Sequence, residues 1–183
     1  MSDLAERFRK VAGGFTERVE TVPDGAWANP APCEGWVARD VVRHLVEWVP
    51  AFLRGYAEVE IARGPSVDDD PCAAWATLRD GLQTTLDDAD TATREFDSPA
   101  GRMAVEQALD MLVTNDVLVH TWDLARATGL DETLDPEEVH RVMVGAEPYD
   151  EALRSSGHYG PRVRVPDDAD EQTRLIAFMG RQP

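Results

Sequence analysis

Three side chains able to ligate a metal stand on two helical stripes that are otherwise apolar: His44 on one, Asp116 and His120 on the other. Leu109, Leu112, Val113, Asp116, His120 and Leu124 recur at helical spacing, so Asp116 and His120 are neighbours one turn apart on a core-facing surface. An ionised carboxylate in an apolar bundle is costly unless paired, and a buried imidazole also needs partners. A cation held between them offsets both costs, and His44 from a facing helix would complete three ligands. Two imidazoles and one carboxylate suit zinc, nickel or ferrous iron better than magnesium or calcium, and three protein ligands leave a coordination position open. The same pattern also fits two hydrogen-bonded core histidines with Asp116 paired to one of them or to an arginine. A carboxylate four residues before a histidine is common by chance, so spacing alone leaves both readings standing.

Around the three lie candidates for a supporting layer. Asp40 and Glu47 fall one turn either side of His44, and Asp123 one turn after His120, where each could accept the spare imidazole proton and fix the tautomer. Glu47 reads better as solvated helix charge. Trp36, Trp48 and Trp122 are near the ligands in sequence and would wall a pocket or pack the core. Cys33 could face that pocket, although an inert loop cysteine is the simpler reading. His140 falls beside its helix stripe and His158 lies in a glycine-bounded loop, so neither is given a role.

The elements that must position these residues are helices. Leu4, Phe8, Val11, Ala12, Phe15 and Val19 give a first amphipathic helix over residues 4–20. Pro30 and Pro32 should make the stretch from Trp27 to Trp36 cross the surface extended. Val37, Val41, His44, Leu45, Trp48 and Phe52 form the stripe of a second helix, expected to run from Val37 to about Arg63 with a local distortion at Pro50. Asp70 before Pro71 opens a third helix, ending near Ala89. After the break at Ser98-Pro99-Ala100-Gly101, residues 103–128 run without proline or glycine to Gly129, a rod of roughly 39 Å. Asp135 and Pro136 open a shorter buttressing helix closed by Pro148. Residues 155–161 are loop-like, 162–166 alternate briefly, and 167–179 read as a last helix. With no convincing strand, the expectation is an all-α fold, a four-helix bundle with additional short C-terminal helices, forming a single domain over residues 1–183.

Composition narrows the function. The chain has 183 residues, enough to bury a core without staples, so a metal here would serve function rather than folding. It carries 35 acidic against 18 basic residues, a net charge of -17, which repels nucleic acid and anionic membrane faces. The N-terminus has no basic and apolar leader pattern, and no run nears the length of a membrane span, so a cytoplasmic protein is expected. Cys33 and Cys72 are too few for a disulfide framework or a thiolate zinc site. No nucleophile elbow, P-loop or dinucleotide fingerprint occurs. Arg162 and Arg164 read as surface ion pairs.

The run Pro32-Cys33-Glu34-Gly35-Trp36-Val37-Ala38-Arg39-Asp40-Val41-Val42-Arg43-His44-Leu45, taken with Asn115-Asp116-Val117-Leu118-Val119-His120-Thr121-Trp122-Asp123-Leu124-Ala125, resembles the mycothiol-dependent maleylpyruvate isomerase N-terminal family of the DinB-like superfamily. The ending, Val165-Pro166-Asp167-Asp168-Ala169-Asp170 and then Leu175 to Gly180-Arg181-Gln182-Pro183, is similar to an actinobacterial branch of uncharacterised metal-binding members. The resemblance implies a DinB-like four-helix bundle holding a divalent ion, zinc first and nickel or iron as alternatives, on His44, Asp116 and His120. It further implies a small thiol such as mycothiol as cofactor and an electrophilic small molecule as substrate, with Asp40 or Asp123 orienting an imidazole and Trp36 and Trp122 shaping the pocket. Bundles of this kind pair through helix faces, so a homodimer is open to the chain. One departure stands out: the isomerase pattern has glutamate where this chain has Asp116, which draws the carboxylate back by roughly 1.5 Å. Three functional readings follow: thiol-dependent transfer or isomerisation, metal or ligand binding without catalysis, and metal-dependent hydrolysis.

Overall fold

The computed structural model describes residues 2–98, 101–155 and 159–183. It is mainly helical. Helices α1 (Asp3–Thr21), α2 (Ala38–Phe52) and α3 (Pro71–Asp87) are followed by the short α4 (Ala89–Ala92), a hairpin of β1 (Glu95–Ser98) and β2 (Gly101–Ala104), and then α5 (Val105–Ala108), α6 (Asn115–Thr128), α7 (Pro136–Ala146), α8 (Asp150–Ser155) and α9 (Glu171–Phe178). In the bundle α1 packs on α3 and α6, and α2 also packs on α3 and α6. That arrangement puts α1 and α2 on opposite corners and turns the inner face of α2 toward α6. His44 and the Asp116–His120 pair therefore meet across one helix–helix contact.

Local chemistry explains where these helices start. Ser2, Asp70, Asp135 and Asp170 each accept a hydrogen bond from a first-turn amide, at Ala5, Ala73, Glu137 and Thr173 respectively. Pro71 and Pro136 occupy the first helical position, where the missing N–H costs nothing.

The second helix is shorter than its stripe suggests. α2 ends at Phe52 and loosens into a π-helical turn over Leu53–Ala57, and Glu58 then takes a left-handed conformation at φ 52°. Pro50 removes one helical amide, and the chain beyond Glu58 is needed elsewhere. Val59, Ile61 and Val67 turn into the core from an extended segment. Ile61 fits against α3 only because position 81 is glycine, since a Cβ there would stand 2.8 Å from the Ile61 side chain.

The second departure is the β1–β2 hairpin, which pairs Phe96 with Met103 across an antiparallel register. It displaces the start of the long rod from Met103 to Val105. Phe96 is the side chain of β1 that is buried, meeting Phe52 edge-on at 6.1 Å. Four-residue strands with one inward side chain are too short for a sequence pattern to register. Pro99 and Ala100, part of the expected break, lie outside the described residues, as does His158. The last helix is shorter than expected, Glu171–Phe178, and α8 was not anticipated.

The rod itself is continuous from Val105 to Thr128 but is wound as a π-helix over Leu109–Thr114. Wide turns leave carbonyls poorly served, and three receive side-chain donors here: Thr114 Oγ1 to Leu109 O (3.1 Å), Asn115 Nδ2 to Met111 O (3.0 Å) and Arg7 Nη1 to Asp110 O (3.3 Å). Arg7, buried on α1, also pairs with Glu138 at 2.6 Å and Asp110 at 2.7 Å and donates to Asn115 Oδ1 at 2.8 Å. This network fastens α1, the π-helical turn and α7 beside the start of α6. Among the described residues, Arg7→Met would leave Glu138 only Lys10 at 3.6 Å and Asp110 only Arg141 at 3.3 Å as cationic partners, and the expected loss is roughly 3 kcal/mol in urea unfolding. Arg9→Met, which removes an exposed pair with Asp87, should cost no more than about 1 kcal/mol.

Candidate metal centre

The three expected ligand residues come together. On α2, His44 places Nε2 3.1 Å from Asp116 Oδ2, and on α6, His120 places Nε2 3.3 Å from Asp116 Oδ1. One ligand atom from each of the three lies within 4.8 Å of the others. A tetrahedral ion with bonds near 2.0 Å spaces its ligands at roughly 3.3 Å, so the donor set fits a first-row divalent cation without large movement. The aspartate, despite its shorter arm, reaches both imidazoles. Trp48 Nε1 donates to Asp116 Oδ2 at 3.1 Å and fixes the carboxylate from the α2 side.

The site is closed on one side and open on the other. The side chains of His44 and Asp116 are 32 % and 27 % exposed, against 3 % for His120. Trp36 covers the imidazoles, with its ring centroid 5.2 Å from His44 and 5.9 Å from His120, nearly parallel to the latter. Its loop is a tight hairpin-like turn rather than a simple extended crossing. Ala31 N–H donates to Trp36 O, Trp36 N–H donates to Cys33 O, and Asn29 Nδ2 ties the loop to Ala127 O on α6.

Behind His120 sits Asp123, whose side chain is fully buried and whose Oδ2 lies 2.8 Å from His120 Nδ1. That contact leaves Nε2 aimed at Asp116, the arrangement a ligating histidine needs. Asp123 is itself held by Arg181, which donates through Nε to Oδ1 at 3.2 Å and through Nη2 to Oδ2 at 2.9 Å. Burial alone would raise the pKa of Asp116, but His120 and then His44 hold it well below the usual carboxylate range. Asp123 is likewise lowered against burial, by His120 and then Arg181. His120 resists burial because Asp116 and Asp123 flank it, and its pKa rises to about 9. That shift favours an imidazolium between the two carboxylates in the metal-free protein.

Other candidates take different places. Asp40 does not reach His44: its carboxylate accepts from Val37 N–H at 3.0 Å and from Arg43 Nε at 3.1 Å, so it starts α2. Trp122 lies in the core with the Arg126 guanidinium 4.7 Å over its ring, and among the described contacts it meets neither histidine ring, so Trp48 takes the place expected of it. Cys33 sits 3.6 Å from Asp123, where burial and then that carboxylate push its thiol up to about 12, which disfavours the thiolate. Cys33 and Cys72 are free thiols. His140 pairs with Glu171 at the surface, and Arg162 with Asp150. Sequence reading missed Arg181. The signal available was a glycine directly after an apolar helix, which turns the next residue back on the helix end.

Among the described residues no helix is long and apolar enough to cross a membrane. The family model described as Mycothiol maleylpyruvate isomerase N-terminal domain matches residues 8–125. Two curated relatives, Uncharacterized protein Rv0738 of Mycobacterium tuberculosis strain H37Rv and Uncharacterized protein MT0763 of strain CDC 1551 / Oshkosh, are each 27% identical to the chain over 94% of both lengths. No solved structure matches.

The flanked imidazolium sets a pH dependence. The folded pKa of His120 lies above the ordinary 6.5, so its contribution is complete below that value and is lost as pH rises through about 9. Thermal midpoints of chelator-treated protein should fall across this interval, and a profile flat from pH 6.5 to 9 would rule the imidazolium out.

Proposed function

The chain belongs to the mycothiol maleylpyruvate isomerase N-terminal domain family, and from that premise we propose that it is a divalent-metal protein acting with a small thiol on electrophilic small molecules. His44, Asp116 and His120 would hold the ion, zinc in the first instance and nickel or ferrous iron as alternatives. The thiol would be mycothiol, and the reaction a transfer to, or isomerisation of, the electrophile in the cytoplasm. When bound, the ion supplies Lewis acidity, which favours the thiolate form of a thiol at neutral pH. The observation that carries this reading is the convergence of two Nε2 atoms on the two oxygens of one carboxylate at 3.1 and 3.3 Å.

The protein's own groups divide the remaining work. Asp123 fixes the His120 ring, Trp48 fixes the Asp116 carboxylate, and Trp36 shields the imidazoles from water on one side. The partly exposed edges of His44 and Asp116 leave the approach for the thiol and its substrate. Cys33, with its raised pKa, is unsuited to act as the sulfur nucleophile, which favours a thiol supplied from outside. Hydrolysis is less well served, because a general base is needed and both carboxylates are engaged: Asp116 by two imidazoles and Trp48, Asp123 by His120 and Arg181.

The test is elemental analysis of tag-free protein replenished with zinc, nickel or ferrous iron, beside His44→Ala and His120→Ala. About one ion per chain is expected in the parent and is lost in both variants. Turnover of a maleyl-type olefin or an alkylating electrophile should then require both ion and mycothiol. A parent without ion would overturn the metal reading; ion binding without thiol-dependent turnover would favour a non-catalytic binding protein; turnover needing the ion but not the thiol would favour the hydrolase.

A further inference from the structure

Residues 159–183 lie beyond the 8–125 span matched by the family model, yet they deliver a side chain to the back of the metal centre. The delivery begins at the C-terminus of α9. Gly180 N–H donates to Ala177 O and Arg181 N–H donates to Ile176 O, each at 3.1 Å, with Gly180 at φ 85°. This paired capping pattern closes a helix by turning the chain back across its end, and it needs a residue tolerant of the left-handed conformation at the turn. Position 180 is restricted a second time. A Cβ there would stand 2.8 Å from the Cα and carbonyl carbon of Gly160, so the two backbones cross with no room for a side chain. Val163 N–H donates to Ala177 O at 3.0 Å, and Tyr159 meets Phe178 edge-on, which seats the crossing strand against the end of α9.

Turned back in this way, Arg181 enters the bundle with its side chain largely buried. Its Nε and Nη2 grip the two oxygens of Asp123, Nη1 donates to Met179 O at 3.2 Å, and Nη2 also lies 3.5 Å from Cys33 Sγ. These contacts engage the guanidinium with the protein, and its Nε and Nη2 edge is committed to Asp123. Asp123 Oδ2 is the atom that meets His120 Nδ1. A fork-to-carboxylate grip fixes the plane of the carboxylate, and the plane of Asp123 fixes the ring of His120.

The geometry points to the Gly180–Arg181 hook as a positioning element of the metal centre, acting through Asp123 to set the ring orientation and tautomer of His120. The inference rests on the metal reading above where it concerns the ion, but the hydrogen-bond chain exists without it. Any change that unlatches the hook should be felt at His120 Nε2, with Asp123 as the single residue between His120 and Arg181.

The experiment uses the full-length protein with Arg181→Gln, Arg181→Lys and Gly180→Ala, and Leu82→Ala as a control. Leu82 is a buried core position on α3, a helix that supplies no site residue. Two readouts are taken: the visible spectrum and affinity of cobalt(II) added to metal-free protein, and the downfield Nδ1–H proton resonance of His120. Arg181→Gln and Gly180→Ala should weaken cobalt binding by roughly 10–100-fold and shift its absorption bands. Both should also move or broaden the His120 resonance. Arg181→Lys, which keeps the charge but not the fork, should recover part of the affinity without restoring the parent spectrum. Leu82→Ala should lower the unfolding midpoint and leave both readouts as in the parent. Parent-like spectra, affinity and His120 resonance in Arg181→Gln would overturn the positioning role. If the parent itself takes up no cobalt, the metal reading fails. The hook is then judged on the His120 resonance alone, supported by its change in Arg181→Gln and overturned by its constancy.

Discussion

Two carboxylates inside the bundle, Asp116 and Asp123, impose the constraint from which the rest of the site follows. A charge there without a partner would cost more than most single contacts in a small domain return. The fold answers with His120 between them, Arg181 behind Asp123, and His44 and Trp48 beside Asp116. In the metal-free protein the compensating charges are an imidazolium and a guanidinium. On the proposed metal reading, an ion on the Nε2 side would replace that proton and leave the Asp123–Arg181 half in place. The site thus has two halves, His44, Asp116 and the Nε2 side of His120 in front and Asp123 with Arg181 behind.

Fixing that second half requires a scaffold that holds α6 in register. The π-helical turn over Leu109–Thr114 sits directly before Asp116, and an uncontrolled wide turn would let the ligand pair rotate about the helix axis. Arg7 ties this turn to α1 by binding the carbonyl and carboxylate of Asp110 and the amide oxygen of Asn115, while Glu138 pairs with it from α7. On the other wall, α2 needs to be regular only as far as Phe52, and the chain beyond it is free to turn Ile61 into the notch at Gly81.

Much of this was legible in the sequence, for a definite reason. The stripes that define α1, α2, α3 and α6 are strongly periodic, and a histidine or aspartate on such a stripe must face the interior whatever the helix order. The convergence of His44, Asp116 and His120 therefore needed only α2 and α6 to be neighbours. What escaped notice was set by contacts that periodicity does not encode. Val37 to Arg63 reads as one helix from the stripe Val37 to Phe52, but Val59 and Ile61 are buried from an extended segment, and Ile61 depends on a glycine in another helix. Asp40 lies one turn from His44, yet its carboxylate closes on the amide of Val37 instead. Trp122 and Trp48 are both at core spacing, and only the packing of α2 on α6 decides that Trp48 is the one to touch the carboxylate.

Arg181 shows the same limit most sharply, since 58 residues separate it from Asp123. The matched family span holds the three candidate ligands and Asp123 but not the cation that neutralises Asp123. A buried carboxylate cannot be left to a remote part of the chain unless that part is delivered reliably. The capping turn at Gly180 and its backbone crossing with Gly160 supply that reliability, because both are satisfied in one geometry only. The rear of the candidate metal centre is in this sense built by the C-terminal segment of the chain, and its front by the bundle.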